Sequence, residues 1–270
     1  MKKFIALALS LAAAGSLCAA GEKVSMTSPD DLGGSAASVK AVKAIPNGFS
    51  FAGTRFFRVW SKKVIKVDPA KKYRVSCEYR MAPGSAEAKG LYLGLVCRDA
   101  KGAVLTSRGQ YIINQSGTVL AADAKAGDLS VKVKDAAKWV VQWGHCAFGA
   151  KADLSDLPNN DLAKIAKVEN KGDVWEVTLA QPLKKAYPAG TGVRCQRDGA
   201  EYRYLLGYVQ APGEWKKLTA VISGFARELA PGYGRAWRLG TAEGGLVVFT
   251  TVQSGSFEIR NLVLEAVEQK

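Results

Sequence analysis

Between Tyr73 and Arg80 apolar and polar residues alternate without a break: Tyr73, Val75, Cys77 and Tyr79 against Arg74, Ser76, Glu78 and Arg80. Successive side chains on an extended strand leave opposite faces, so this pattern predicts an antiparallel strand with one face in a core and the other in water. Val64-Ile65-Lys66-Val67 reads as a shorter strand stopped by Asp68-Pro69. Leu91 to Cys97 is another, turned by Asp99-Ala100-Lys101-Gly102, and Val104 to Ile113 is expected to continue the pattern. Further strands are predicted at Tyr202 to Val209, from Trp215 through Leu218, Ala220 and Ile222, at Ala236 to Gly240, at Leu246 to Val252 and at Phe257 to Glu265. Helical periodicity is nearly absent; one turn near Leu154 to Ile165 is the exception. Short strands at regular spacing, cut by Gly and Pro turns, predict an all-β fold, a jelly-roll β-sandwich.

The middle of the chain has a different texture. Leu129, Val131 and Val133 alternate with Ser130, Lys132 and Lys134 after Ala126-Gly127-Asp128, and Trp175, Val177 and Leu179 run into Gln181-Pro182-Leu183 before Ala189-Gly190-Thr191. Strand-like sequence on either side is of one kind. The organisation expected is a discontinuous sandwich, 21–116 and 200–270, with a small β module, 117–199, inserted in one loop.

The N-terminus adds an address. Lys2 and Lys3 precede an apolar run from Phe4 to Gly15, and Cys18-Ala19-Ala20 supplies small residues for a peptidase. This reads as a signal peptide, 1–20, cleaved after Ala20, and places the protein in the periplasm or outside the cell. Lipidation at Cys18 is the weaker alternative, because Leu17 precedes it. No later segment is apolar enough for a transmembrane helix. Formal charge is +14, of which Lys2 and Lys3 leave with the leader, so residues 21–270 carry +12. Such a field attracts anionic partners, and export favours acidic polysaccharide or cell-surface glycan over nucleic acid. Four cysteines remain, Cys77, Cys97, Cys146 and Cys195. Two bridges in any of three pairings are open, with Cys146 and Cys195 one candidate pair and free buried thiols the other outcome.

Several segments resemble a known family. Val67-Asp68-Pro69-Ala70-Lys71-Lys72-Tyr73-Arg74-Val75-Ser76, Leu95-Val96-Cys97-Arg98-Asp99-Ala100-Lys101-Gly102, Glu214-Trp215-Lys216 and Phe257-Glu258-Ile259-Arg260-Asn261-Leu262-Val263-Leu264-Glu265 look like the framework of galactose-binding-like carbohydrate-binding modules. The resemblance covers 21–116 and 200–270 and implies a jelly roll of the sort attached to exported glycoside-processing enzymes. Asn261 stands where that family often has an aspartate near a structural calcium, so no calcium or other cofactor is expected. Segment 118–198 is similar to small β modules of bacterial surface and phage proteins, which implies a structural or adhesive role, with an envelope protein as its partner.

Chemistry-bearing constellations are few. His145 is the only histidine and adjoins Cys146, but strand neighbours face opposite ways, so a nucleophile–base pair is not expected. Asp153, Asp156 and Asp161 could pair for glycoside hydrolysis but read better as a solvated acidic loop or the cap of a short helix, and no metal spacing occurs. Aromatics remain. Sugar rings present apolar C–H faces, so exposed Trp and Tyr beside hydrogen-bonding groups make platforms for them. Trp60, after Arg55-Phe56-Phe57-Arg58, and Tyr111, between Gln110 and Asn114-Gln115, are the first ligand-binding candidates, with Arg80 placed to meet an acidic sugar. Trp215 and Trp237 are expected in the sandwich core, and Trp139, Trp143 and Trp175 in that of the module. The expected function is an exported, non-catalytic carbohydrate-binding protein. A structural or adhesive envelope subunit and a polysaccharide lyase are the alternatives, the lyase weakened by the single histidine.

Overall fold

The structure, a computed structural model, describes residues 23–227 and 234–267; the leader read at 1–20 lies outside them. Nearly every element is a strand, in three six-stranded antiparallel sheets. The first sheet runs in the order Lys216–Ser223, Lys72–Met81, Ser254–Val267, Gly48–Gly53 and Lys43–Ile45, with Lys23–Met26 also on Ser254–Val267. The second runs Arg203–Val209, Leu91–Arg98, Glu243–Thr250, Arg58–Ser61 and Leu32–Gly34, with Ile65–Lys66 also on Glu243–Thr250. These two sheets face each other as a sandwich. Tyr73, Val75, Cys77 and Tyr79 point in from one, and Leu91, Leu93, Leu95 and Cys97 from the other, all in one buried cluster. Phe51 stacks on Phe57 at 4.1 Å, and Tyr73 meets Trp237 edge-on at 5.4 Å. Each such side chain removed from water contributes about 1.5–3 kcal/mol.

The alternation from Tyr73 to Arg80 therefore reports a real two-faced strand. Its turns are equally local in origin. Asp99 Oδ1 accepts from the Lys101 and Ala103 N–H groups at 2.8 and 2.9 Å, and Gly102 takes the left-handed conformation that the return needs.

The third sheet, Ser130–Val133, Trp175–Leu179, Leu162–Asn170, Gly144–Phe148, Gly192–Arg197 and Thr118–Val119, is built from one continuous stretch of chain. It has its own core, in which Val131, Val133, Val177, Leu179, Cys146 and Trp139 are buried. The chain leaves the sandwich after Leu105 and returns at Ala200. Both connectors are gripped by Arg238, a wholly buried residue on the Trp237–Arg238 strand. Its guanidinium donates to the carbonyls of Leu105, Ala200, Glu201 and Tyr202 at 2.6–3.0 Å. Gln110, also buried, closes the seam by exchanging two hydrogen bonds with the Leu239 backbone.

Local reading fails where the junction claims the backbone. Val104 to Ile113 is not a strand: isolated bridges at Val104 and Ile112 flank a 3-10 turn, Ser107–Gly109, and Ser107 N–H bonds to Ala200 O across the connectors. Ala236 to Gly240 shrinks to Trp237–Arg238, paired in parallel with Phe225–Ala226, and the Arg238 side chain serves the junction. No helix forms between Leu154 and Ile165; turns lead into the Leu162–Asn170 strand. Two tryptophans expected in cores lie outside them: Trp215 is half-buried and Trp143 is 55% exposed.

Candidate functional site

The outer face of the first sheet is a lattice of ion pairs. Arg80 bonds Glu258 at 2.7 Å, Arg260 bonds Glu78 at 2.8 Å, and Arg74 reaches Glu265. Trp215 lies between two guanidiniums, 4.5 Å from Arg80 and 4.1 Å from Arg260. That cation–π stack explains why the ring stays out of the core. The Arg260 hydrogen bond holds the Glu78 carboxyl below its usual range.

Across the sandwich, the outer face of the second sheet is covered by rings. Tyr92 stacks on Phe249 at 4.6 Å, tilts against Tyr204 at 5.2 Å and meets Tyr208 at 6.2 Å. Phe249 in turn contacts Tyr204 and Tyr202 at 5.6 and 5.7 Å. Trp60, half-buried, packs on this layer, and its indole lies so close over Gly33 that a Cβ there would sit 2.6 Å from Nε1. Beneath the rings, Val96 and Val247 are buried on what is the outside of the sheet. Strand alternation produces the arrangement: in Leu91–Arg98 the residues between the buried leucines face out, and in Glu243–Thr250 Val247 and Phe249 do the same. At one end of this face Tyr208 is 53% exposed on an irregular stretch of strand with φ of 51°.

At the other end the ring layer runs into the junction. The Tyr202 hydroxyl donates to Glu201 at 2.9 Å, and Arg58 bonds Glu201 at 2.7 Å while its guanidinium lies 5.7 Å from the Tyr202 ring. Burial, reinforced by the Glu201 charge, pushes the Tyr202 phenol well above its usual value. Glu201 also borders a cleft of about 590 Å³ between sandwich and module, lined by Thr106, Arg108, Trp143, Arg197 and Asp198. Arg108 is paired with Asp198. Behind Asp198 sits His145, 5% exposed, with Nδ1 3.9 Å from the carboxylate and without a hydrogen-bond partner at that nitrogen. Burial pushes the His145 pKa below its usual value, and the Asp198 charge opposes that only in part.

Of the three residues expected to share a site, the structure brings none together. Trp60 belongs to the aromatic face. Arg80 lies on the far side of the sandwich, committed to Glu258 and Trp215. Tyr111 is half-buried on the outgoing connector, its carbonyl accepting from Arg197 N–H at 2.9 Å. The face alternation that makes Arg80 polar also sends it away from Trp60, since the two sheets turn their outer faces in opposite directions.

Cys146 and Cys195 are direct cross-strand partners, fully buried, and present as thiols. Cys195 N–H and C=O bond outward to Ser116 and Ile113, so the pair occupies the register in which side chains stand closest. Asp156 forms a buried two-point pair with Arg194, Asp161 bonds Tyr187 and Lys185, and Asp153 caps Ser155. Asn261 sits at a bulge with φ of 52°, its amide donating to Glu78. Among the described residues no group of three His, Cys, Asp or Glu is arranged to hold a metal ion, and no helix is long and apolar enough to cross a membrane.

Sequence reasoning overlooked Tyr92, Tyr204, Tyr208, Phe249, Trp143 and Arg197. The signal for three of them was present: Tyr92, Tyr204 and Phe249 are aromatic residues on the off-beat of strands whose other face is aliphatic. The chain matches no family model, no curated protein and no solved structure.

Proposed function

We propose that this is an exported, non-catalytic glycan-binding protein, built on a jelly roll of the galactose-binding-like kind. The outward aromatic face of the second sheet carries the reading. A face that only needed water would resemble its opposite, covered by arginine–carboxylate pairs; this one leaves half-exposed rings over a dry valine layer. Rings of this sort meet the C–H faces of sugars, and the Arg58–Glu201 pair at the edge supplies hydroxyl-binding groups. The commitment of Asp153, Asp156 and Asp161 to structural partners supports a binding role over a hydrolytic one. Positive charge is concentrated in the sandwich. Residues 117–199 carry 12 basic against 10 acidic side chains, whereas 21–116 and 200–270 carry 24 against 14. A field of that sign favours anionic glycan.

A glycan array probed with residues 21–270 at two salt concentrations tests the reading; salt-sensitive binding to polysaccharide supports it, and a silent array overturns it. Export has a second readout. In an oxidising compartment the opposed Cys146 and Cys195 would bridge, and unfolding in the absence of reductant would expose two thiols rather than four. The adhesive alternative draws on Leu129 and Val141, 54% and 42% exposed on the module. If it holds, Leu129→Glu abolishes self-association and leaves glycan affinity intact.

A further inference from the structure

The cleft between sandwich and module combines features that ordinary folding does not require. Trp143 is 55% exposed and has φ of 65°, a conformation that costs a bulky L-residue free energy and that Asn or Gly would adopt with less strain. The turn is tight: a Cβ at the next residue, Gly144, would fall 1.8 Å from the Val140 carbonyl oxygen. The Trp143 carbonyl accepts from Asp198 N–H at 2.7 Å, and Gly144 pairs with Arg197 across the strands, so the backbone of Trp143 is held next to that of Arg197 and Asp198, and all three line the cleft.

The two carboxylates that line the cleft are already engaged by other arginines. Asp198 is taken by Arg108, and Glu201 by Arg58 and the Tyr202 hydroxyl. Among the described residues no carboxylate pairs with Arg197, which lines the cleft and is half-buried. An exposed indole beside a guanidinium without a counter-ion matches a sugar ring bearing a carboxylate: the ring's C–H face lies on the indole, and the carboxylate accepts the fork of two N–H donors that arginine presents. A neutral sugar would leave that guanidinium unmatched and a simple anion would leave the indole unused.

We propose that this cleft binds a hexuronate residue of an acidic polysaccharide, with the sugar stacked on Trp143 and its carboxylate on Arg197. The inference rests on the glycan-binding reading above and gives it a ligand class. The aromatic face, joined to the cleft through Tyr202 and Glu201, receives the sugars that follow along the chain.

Calorimetric titration of residues 21–270 with tetragalacturonate and tetramannuronate, each also as its neutral methyl ester, tests this. One of the acids should bind at least tenfold more tightly than its ester. Trp143→Ala and Arg197→Ala should each lower that affinity at least tenfold, with Arg197→Lys and Trp143→Phe intermediate. Both side chains reach the surface, and an unchanged melting temperature shows that the variants are folded. Uronate binding that survives both alanine variants but falls in Tyr92→Ala places the site on the aromatic face and overturns the cleft assignment. Equal affinity for acid and ester overturns it too, and leaves the glycan-binding reading standing. If no glycan of any charge binds, both fail.

Discussion

The two outer faces of the sandwich come from the same strand periodicity and end in opposite states. On the first sheet Arg74, Arg80 and Arg260 are each paired with a carboxylate, and Trp215 is held between two guanidiniums. On the second sheet the off-beat residues are Tyr92, Tyr204, Phe249 and Trp60, packed over Val96 and Val247. The first face meets its own needs. The second keeps apolar area at the surface and leads to a cleft with an unmatched arginine. Exposed apolar area of this kind is what the glycan-binding proposal rests on.

Arg238 ties both connectors to the sandwich and so keeps the aromatic face next to the cleft. Arg238→Met leaves four carbonyls without their donor, and a loss of about 3–5 kcal/mol in urea unfolding is expected. A loss under about 1 kcal/mol would show that the junction is not held this way.

Ring removal sharpens the contrast between faces. Tyr92→Ala should weaken glycan binding about tenfold, or roughly 1.4 kcal/mol. Trp215→Ala, on the opposite face, should leave affinity within about twofold. Equal effects in a titration would erase the functional difference between the faces.

Acid should separate the two regions in sequence. The folded pKa of His145 lies below the unfolded value of 6.5, so the unfolded chain takes up that proton first. Stability therefore falls as pH drops through 6.5 towards the folded value, and levels off below it as far as His145 is concerned. Glu78, on the ion-paired face, has a folded pKa below 4.5; its contribution persists above that value and is lost as pH falls through the folded pKa. Melting temperature against pH should show an early decline that His145→Gln removes and a later one that it does not. A single decline confined to the carboxylate range would contradict the burial of His145.

The smallest effect is expected at Arg80. Its pair with Glu258 is partly exposed, and Arg80→Ala should cost about 1 kcal/mol at low salt and less at high salt. A larger cost that is insensitive to salt would mean that the ion-paired face contributes more to folding than its exposure implies.

Strand identity was legible wherever one face is buried and the other wet. Tyr73 to Arg80, Leu91 to Cys97 and Phe257 to Glu265 all lie in strands, because a period of two is a local property of extended backbone. It was not legible at 23–61, where the strands are short, nor at Val104 to Ile113, where buried Gln110 and Ser107 bond across the junction. Trp60 could be named from sequence as an outward ring. That Arg80 belongs to the other side of the molecule could not, because nothing local states which sheet a strand joins.

The chain by itself determined its all-β character, the alternation that gives each strand an inner and an outer side, the Asp99–Gly102 turn and the strong positive charge, since each depends on neighbouring residues or simple counts. Tertiary structure alone decided which outer faces coincide. Tyr92, Phe249, Tyr204 and Trp60 come from four strands far apart in sequence and meet only because those strands pair in one sheet. Trp143 and Arg197 become neighbours only through the register of Gly144 against Arg197, and they face Glu201 only because Arg238 pins both connectors. Pairing energy is gained between segments distant along the chain, so the assembly of the site is a property of the sheet rather than of any one strand.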